Sequence, residues 1–162
     1  MRRRPLLAFA AIAVAGCGFE LKRAPELRFR TIQLRGFPAR SPLAAELKMQ
    51  IDSGTTTRVV EAGQDAQVVL QAVAESREKS IVAQTSASQI REFELRLRFR
   101  FVLRSAAGRE LIPESEIVLA RSLTYTESAA LAKEQEEAFL YRAMQSDIVS
   151  QVLRRLASVQ QV

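Results

Sequence analysis

The chain has 162 residues, 48% of them hydrophobic, and its 24 basic and 18 acidic residues give a net charge of +6 at pH 7. This length suits one domain with a sizeable core. The chain has no histidine and one cysteine. This composition excludes zinc sites built from cysteine and histidine, and it excludes nucleophiles activated by histidine. We therefore expect a protein that is not an enzyme and needs no cofactor.

The first residues predict a cleaved export signal. Three arginines at positions 2–4 precede an apolar run over residues 5–14, and small residues then lead to Cys17. This order is typical of a secretory signal, and the apolar run is about half the roughly 20 residues that a spanning helix needs. The sequence Val-Ala-Gly-Cys at 14–17 resembles a bacterial lipobox, which implies cleavage before Cys17 and lipid attachment to its thiol. The alternative is a plain signal peptide with an incidental cysteine.

The lipobox sets the expected domain organisation. Residues 1–16 would be removed, residues 17–30 would form an acylated tether, and residues 31–162 would fold as one domain. Cleavage removes three arginines and lowers the net charge to about +3, so the high charge belongs partly to the leader. Two acyl chains anchor a protein stably where one does not. Gly18 in the second mature position is compatible with the outer membrane, so we expect a lipid-anchored protein there that faces the periplasm.

The first predicted elements are a short strand and a helix. Residues 31–35 alternate in polarity and are ended by Gly36. Ser41 and Pro42 then fit the N-cap and the first helical position. Leucine or isoleucine recurs every fourth residue from position 43 to 51, and Gly54 is a natural stop.

The middle of the chain predicts three strands in a meander. Residues 55–65 are polar and predict a loop, and residues 66–74 predict a strand buried on much of both faces. The charged stretch 76–80 interrupts this strand, residues 81–83 resume it, and 84–88 form a turn. Residues 93–103 alternate strictly, with apolar side chains at odd positions and charged ones at most even positions.

The last predicted elements are a hairpin partner and a long helix. Residues 105–109 predict the hairpin connection. The strand 111–125 follows, with Pro113 placing its start at an edge or a bulge. Residues 130–156 predict a helix with one apolar stripe. We therefore expect an α+β fold, a two-layer sandwich with two helices on one face of a small mixed sheet of about four strands.

One face of the alternating strand is the main candidate site. Arg96, Arg98 and Arg100 lie about 7 Å apart on that face, and guanidinium groups bind phosphates. The functional interpretation is an anionic ligand or a polar protein surface. The alternative is an ordinary solvated sheet face, whose arginines would pair with Glu114 or Glu116 on the neighbouring strand. Nucleic acid is not expected, because the face lacks interleaved aromatic residues.

A cluster of glutamates at 134, 136 and 137 opens the long helix. Acid–base chemistry is one interpretation, but carboxylates also favour the start of a helix and face water there. We expect the second role. Lys133, beside them, is by itself an ordinary solvated lysine.

Several motifs in a fixed order resemble the LptE family of lipopolysaccharide-assembly lipoproteins. They are the lipobox, Cys17-Gly18-Phe19-x-Leu21, the capped helix with Leu43 and Leu47, Arg91-Glu92-Phe93, and Leu131-Ala132-Lys133-Glu134-x-Glu136. The resemblance implies a lipoprotein that plugs an LptD-like outer-membrane β-barrel and assists lipopolysaccharide delivery to the outer leaflet, without catalysis. It also implies that Lys133 contacts lipopolysaccharide. A second basic residue of the family, in the turn between the second and third strands, has no match at 84–88. The alternative function is a stand-alone periplasmic lipoprotein that binds a lipid or glycan.

Overall fold

A computed structural model describes residues 26–62 and 64–161 of the chain. The predicted signal segment and Cys17 lie outside the described residues. In chain order the elements are β1 (Thr31–Arg35), α1 (Pro42–Gly54), β2 (Arg58–Val60), β3 (Val68–Gln84), β4 (Ile90–Ser105), β5 (Glu110–Thr124), a 3₁₀ turn (Glu127–Ala129) and α2 (Ala130–Ala157).

The strands form one mixed sheet in the order β2-β1-β3-β4-β5. β1 is parallel to both of its neighbours, and the β3–β4 and β4–β5 pairs are antiparallel. The buried apolar side chains of both helices join those of the sheet in a single core. The predicted α+β architecture is therefore confirmed, with five strands where about four were expected.

The extra strand is β2, in the stretch that was predicted to be a loop. Its three residues pair in parallel with β1, with Ile32 opposite Val59. Asp52 at the end of α1 accepts a hydrogen bond of 2.8 Å from the Val59 amide. The prediction failed because β2 is stabilised by its pairing with β1 and by the crossover through α1 that brings it there. Neither contact produces a pattern in the sequence of residues 55–65.

β3 differs from its prediction in two ways. It is one strand of 17 residues, without the predicted interruption at 76–80. It is also not buried on both faces, because Val68 and Leu70 are buried while Val73 is 40% exposed. The charged residues stay in the strand because partners lie within reach. Arg77 donates a 3.2 Å hydrogen bond to Gln145 of α2, and Lys79 lies 2.6 Å from Glu137.

β4 confirms the predicted alternation. The odd-numbered residues from Leu95 to Leu103 are buried beneath the helices, and Phe99 stacks on Phe101 with ring centroids 5.4 Å apart. Pro113 lies in β5, which is an edge strand, and the register shifts nearby, as expected for proline in a sheet. Leu27 and Phe29 are also buried in the core, so the packed domain begins before residue 31.

The start of α1 is fixed by its cap and by a tight connection from β1. Ser41 accepts a hydrogen bond from the Ala44 amide and donates one of 2.7 Å to Glu75 of β3. Gly36 adopts φ +78°, and a Cβ atom there would lie 2.5 Å from the carbonyl oxygen of Ala72. Only glycine fits this approach, which marks the point where β1 leaves the side of β3.

Candidate ligand site at the start of the long helix

A cleft of about 170 Å³ lies between the first turns of α2 and the end of the sheet near the β3–β4 turn. Phe93, Leu123 and Tyr125 form its apolar wall, and Phe93 meets Tyr125 edge-to-face at 5.4 Å. Its polar side chains are those of Lys79, Lys133, Glu134 and Glu137. Two cations and two carboxylates thus share a small, partly apolar space.

Lys133 is held in this cleft by two neighbours. Its Nζ lies 2.8 Å from Glu136 and donates a 3.1 Å hydrogen bond to the Thr124 hydroxyl at the end of β5. Its side chain is only 19% exposed. Lys133 is therefore not the freely solvated lysine that its place at a helix start suggests by itself.

Lys79 is the residue of this cleft that sequence reasoning missed. It comes from β3, and its ammonium group lies 2.6 Å from Glu137 and 4.3 Å from the centre of the Phe93 ring. A cation over an aromatic face gains from the ring quadrupole. The only signal was a lysine inside an otherwise strand-like stretch, and that signal was interpreted as an interruption.

Tyr141, one turn after Glu137, connects α2 to β3. Its hydroxyl donates a 2.7 Å hydrogen bond to the carbonyl oxygen of Glu78, and Arg77 lies over its ring. Burial raises the pKa of Tyr141, the Glu137 carboxylate adds to the rise, and Arg77 opposes it. The hydroxyl therefore stays protonated and ties α2 to β3.

The paired charges of this cleft fit anion binding better than acid–base chemistry. Glu136 and Glu137 each hold a lysine, which is more than the solvent-facing role predicted for them. An incoming phosphate could exchange with these carboxylates on the two ammonium groups. No group of three potential metal ligands occurs among the described residues.

The arginine face lies on the side of the sheet opposite the helices. Each arginine has a glutamate within 4.0 Å, so the pairing with neighbouring strands, weighed above as the alternative, is present. The pairs are Arg96 with Glu94 and Glu78, Arg98 with Glu116, Arg100 with Glu114, and Arg104 with Glu110. The face is thus a ladder of alternating charge, with its side chains about two-fifths exposed.

A larger, open cleft of about 740 Å³ lies between α1 and the carboxyl ends of β1 and β2. Its cations are Arg35 and Lys48, and Lys48 is paired with Asp52 at 3.3 Å. The cleft lies away from Lys133 and from the arginine face. Within residues 26–62 and 64–161, no helix is long and apolar enough to cross a membrane.

Comparisons with known proteins agree on one family. The family described as LptE, lipopolysaccharide-assembly, matches residues 29–156. The solution structure of an uncharacterized lipoprotein B from Nitrosomonas europaea has a TM-score of 0.74 and 34% sequence identity, over 87% of this chain and 91% of that one. No curated protein matches.

Two crystal structures share the fold at lower identity. Rare lipoprotein B from Shewanella oneidensis has a TM-score of 0.67 and 20% identity, over 80% of this chain and 95% of that one. A minor lipoprotein from Acinetobacter baumannii has a TM-score of 0.65 and 21% identity, over 82% and 93%. The matched residues include the whole sheet, α1 and the cleft beside α2.

Proposed function

This chain belongs to the LptE family of lipopolysaccharide-assembly lipoproteins, and we propose that it forms a complex with an LptD-like outer-membrane β-barrel and plugs it. In this role it assists delivery of lipopolysaccharide to the outer leaflet without catalysing a reaction. Cys17 carries the lipid anchor and holds the protein at the periplasmic side of the outer membrane. The observation that carries the proposal is the family match over residues 29–156, which include the entire sheet, α1 and all but the last residue of α2.

The cleft beside α2 supports a direct contact with lipopolysaccharide. Phosphorylated amphiphiles offer anionic groups next to apolar chains, and the cleft offers Lys79 and Lys133 next to Phe93 and Tyr125. Lysine binds phosphate as a compact point charge. The β3–β4 turn lacks the basic residue of the family pattern. Lys79, from the same end of β3, supplies a cation in its place.

The arginine face supports the contact with the barrel. The lumen of an outer-membrane barrel is polar. Arg96, Arg98 and Arg100 are already paired with glutamates, so this face presents both signs of charge to a polar wall. Such a ladder suits a protein surface of mixed charge better than a free anion, which would meet repulsion from the glutamates.

Isolation of the acylated full-length chain from outer membranes tests the proposal. We expect a large β-barrel to copurify with it in a fixed ratio and to be identified by mass spectrometry as an LptD-like protein. The Cys17→Ala variant is the control, and it should leave an unprocessed or soluble chain that holds much less barrel. Recovery of the parent chain from outer membranes with lipid or glycan but without a barrel would instead support the stand-alone binding lipoprotein.

A further inference from the structure

The outer part of β3 has a neighbour on only one side. β1 pairs with β3 over Val68–Gln71 and then turns away at Gly36, whereas β3 continues to Gln84 along β4. Within the described part of the chain, no strand lies beside residues 72–84 on the β1 side. Residues 77–82 are all exposed there.

The hydrogen-bond pattern shows which backbone groups of this edge are unpaired. The Tyr125 amide donates to the Arg91 carbonyl, so odd-numbered residues of β4 direct their backbone groups toward β5 and even-numbered ones toward β3. In this register Ser76, Glu78 and Ser80 oppose even-numbered β4 residues and bond to them. The N–H and C=O groups of Arg77 and Lys79 and the N–H of Ile81 therefore point to the side without a strand. The register with β4 shifts just beyond, between Ile81 and Ala83.

The other two edges of the sheet carry features that discourage strand addition. The free edge of β3 carries such features only in part. β2 has three residues, and β5 carries Pro113 and several glutamates. Short strands, proline and charge protect edges in natural proteins. Beyond Lys79, by contrast, residues 80–84 of β3 are Ser-Ile-Val-Ala-Gln, without a charge or a proline, and Ile81 and Val82 are 47% and 53% exposed. The register shift between Ile81 and Ala83 is the feature of this stretch that discourages pairing, and it follows Arg77 and Lys79.

We propose that this free edge, residues 77–82 of β3, binds an extended segment of the barrel polypeptide by strand addition. The inference rests on the proposed function, because it names how the barrel is held. The chemistry of the edge defines the segment. Opposite Ile81, the barrel segment has an uncharged residue that is β-branched or aromatic. Opposite Arg77, the segment has a carboxylate, because Arg77 makes no ion pair with any residue that the structure describes. Backbone bonds supply affinity and side chains supply the choice of segment.

A second copy of this chain fits the edge less well. Antiparallel self-pairing centred on Lys79 places two lysines directly opposite each other, which destabilises a strand pair. Self-pairing centred on Ile81 avoids this, because it places Lys79 opposite Ala83, but it joins only residues 78–84 of each copy. A contact of that length buries far less than the roughly 1,200 Å² of a stable interface. A segment of the barrel needs no such area, because the rest of the complex provides it.

Amide hydrogen exchange on the acylated full-length chain, alone and in its barrel complex, is the direct test. Strand addition predicts that the amides of Arg77, Lys79 and Ile81 slow by about tenfold or more on complex formation, because each gains a backbone acceptor. The intervening amides of Glu78 and Ser80 are already bonded to β4 and should change little. Unchanged exchange at the three odd-numbered amides overturns the inference.

Two substitutions at Ile81 make the test specific. Ile81→Pro removes an N–H that points away from β4, so the sheet should persist while the amount of barrel copurified falls about tenfold. Ile81→Ala is the matched control, because it removes the same exposed side chain but keeps the N–H. We expect it to retain most of the barrel. Equal retention by both variants, or equal loss in both, overturns the inference.

Two further measurements cover the remaining outcomes. If Ile81→Pro does not fold, Ile81→Lys replaces it, with Ile81→Ala still the control and with the same expectation. A photo-crosslinker at Val82 in living cells should join this chain to the barrel. Cross-links only to a second copy, or to residues 17–25 of the same chain, overturn the inference while barrel copurification still supports the proposed function. Failure of the parent chain to copurify any barrel overturns both.

Discussion

The two halves of β3 have opposite surroundings although they belong to one strand. Residues 68–71, the near half, lie between β1 and β4, and Val68 and Leu70 are buried in the core that the sheet shares with the helices. Among the described residues, only β4 lies beside residues 77–84, the far half, which are almost entirely exposed. The difference begins where Gly36 turns the chain from β1 into α1.

The contrast assigns different roles to the two halves: the near half stabilises the fold, and the far half is exposed to binding partners. Apolar burial at the near half stabilises the fold, since each fully buried aliphatic side chain is worth about 1.5–3 kcal/mol. The far half contributes little apolar burial, and its charged residues reach α2 through Arg77 and Lys79. We therefore expect substitutions beside the near half of β3 to change stability and substitutions in the far half to change binding.

The largest expected effect lies in the core beside the near half. Phe101 faces Ala72 across β3 and β4 and is fully buried. Phe101→Ala should lower the free energy of unfolding by about 3–5 kcal/mol, because it removes buried area and leaves a cavity. Ile81→Ala in the far half is the matched control and should cost less than about 1 kcal/mol. Urea unfolding of both variants measures this, and equal losses would contradict the comparison.

A smaller loss is expected at the point where the two halves divide. Gly36→Ala places a Cβ atom 2.5 Å from the Ala72 carbonyl oxygen at a φ of +78°. The strain should cost about 1–3 kcal/mol. Gly108→Ala, at φ +83° with nothing within 4 Å of its Cβ, separates the two causes, because it keeps the backbone strain without the clash. A smaller loss at Gly36 than at Gly108 would mean that the close approach is not a constraint.

The tie between α2 and the far half should be weaker still. Tyr141→Phe keeps the packed ring and removes the hydrogen bond to the Glu78 carbonyl. We expect a loss of about 0.5–1.5 kcal/mol in the free energy of unfolding. Hydrogen exchange at residues 77–80 should speed up more than exchange at residues 68–71. A uniform change along β3 would argue against separate halves.

The smallest effect on stability is expected on the outer face. The double variant Arg96→Gln, Arg98→Gln removes partly exposed ion pairs, which contribute about 0–1 kcal/mol each. Barrel copurification by the same protein should nevertheless fall if this face meets the lumen wall. Full copurification with unchanged lipopolysaccharide binding would return these arginines to a solvated role.

Parts of the core were predictable because their signals are local. The alternation of β4 and the Ser41-Pro42 start of α1 each follow from a few adjacent residues, and the structure confirms both. β2 was missed because three residues in a polar stretch become a strand only beside β1. The competing explanation for the arginines, pairing with Glu114 and Glu116, was also visible in the sequence, since a hairpin fixes which strand lies beside β4.

The far half and its cleft were harder to predict because they depend on tertiary contacts. The charged residues of β3 were interpreted as a break in the strand. In the structure, the side chains of Arg77 and Lys79 reach α2, where they contact Gln145 and Glu137. Their partners stand 68 and 58 residues further along the chain, so no local pattern could join Lys79 to Lys133.

Lipopolysaccharide binding by the acylated full-length chain, measured together with its unfolding free energy, tests most directly whether the far half of β3 and its cleft bind the ligand. Lys133→Ala and Lys79→Ala should each weaken binding, because each removes one of the two ammonium groups of the cleft, while stability changes by less than about 1 kcal/mol. Lys48→Ala is the matched control, since Lys48 also forms a helix ion pair, at 3.3 Å from Asp52, away from the cleft. Parental binding by both cleft variants, or the same loss in the Lys48 variant, would contradict the account.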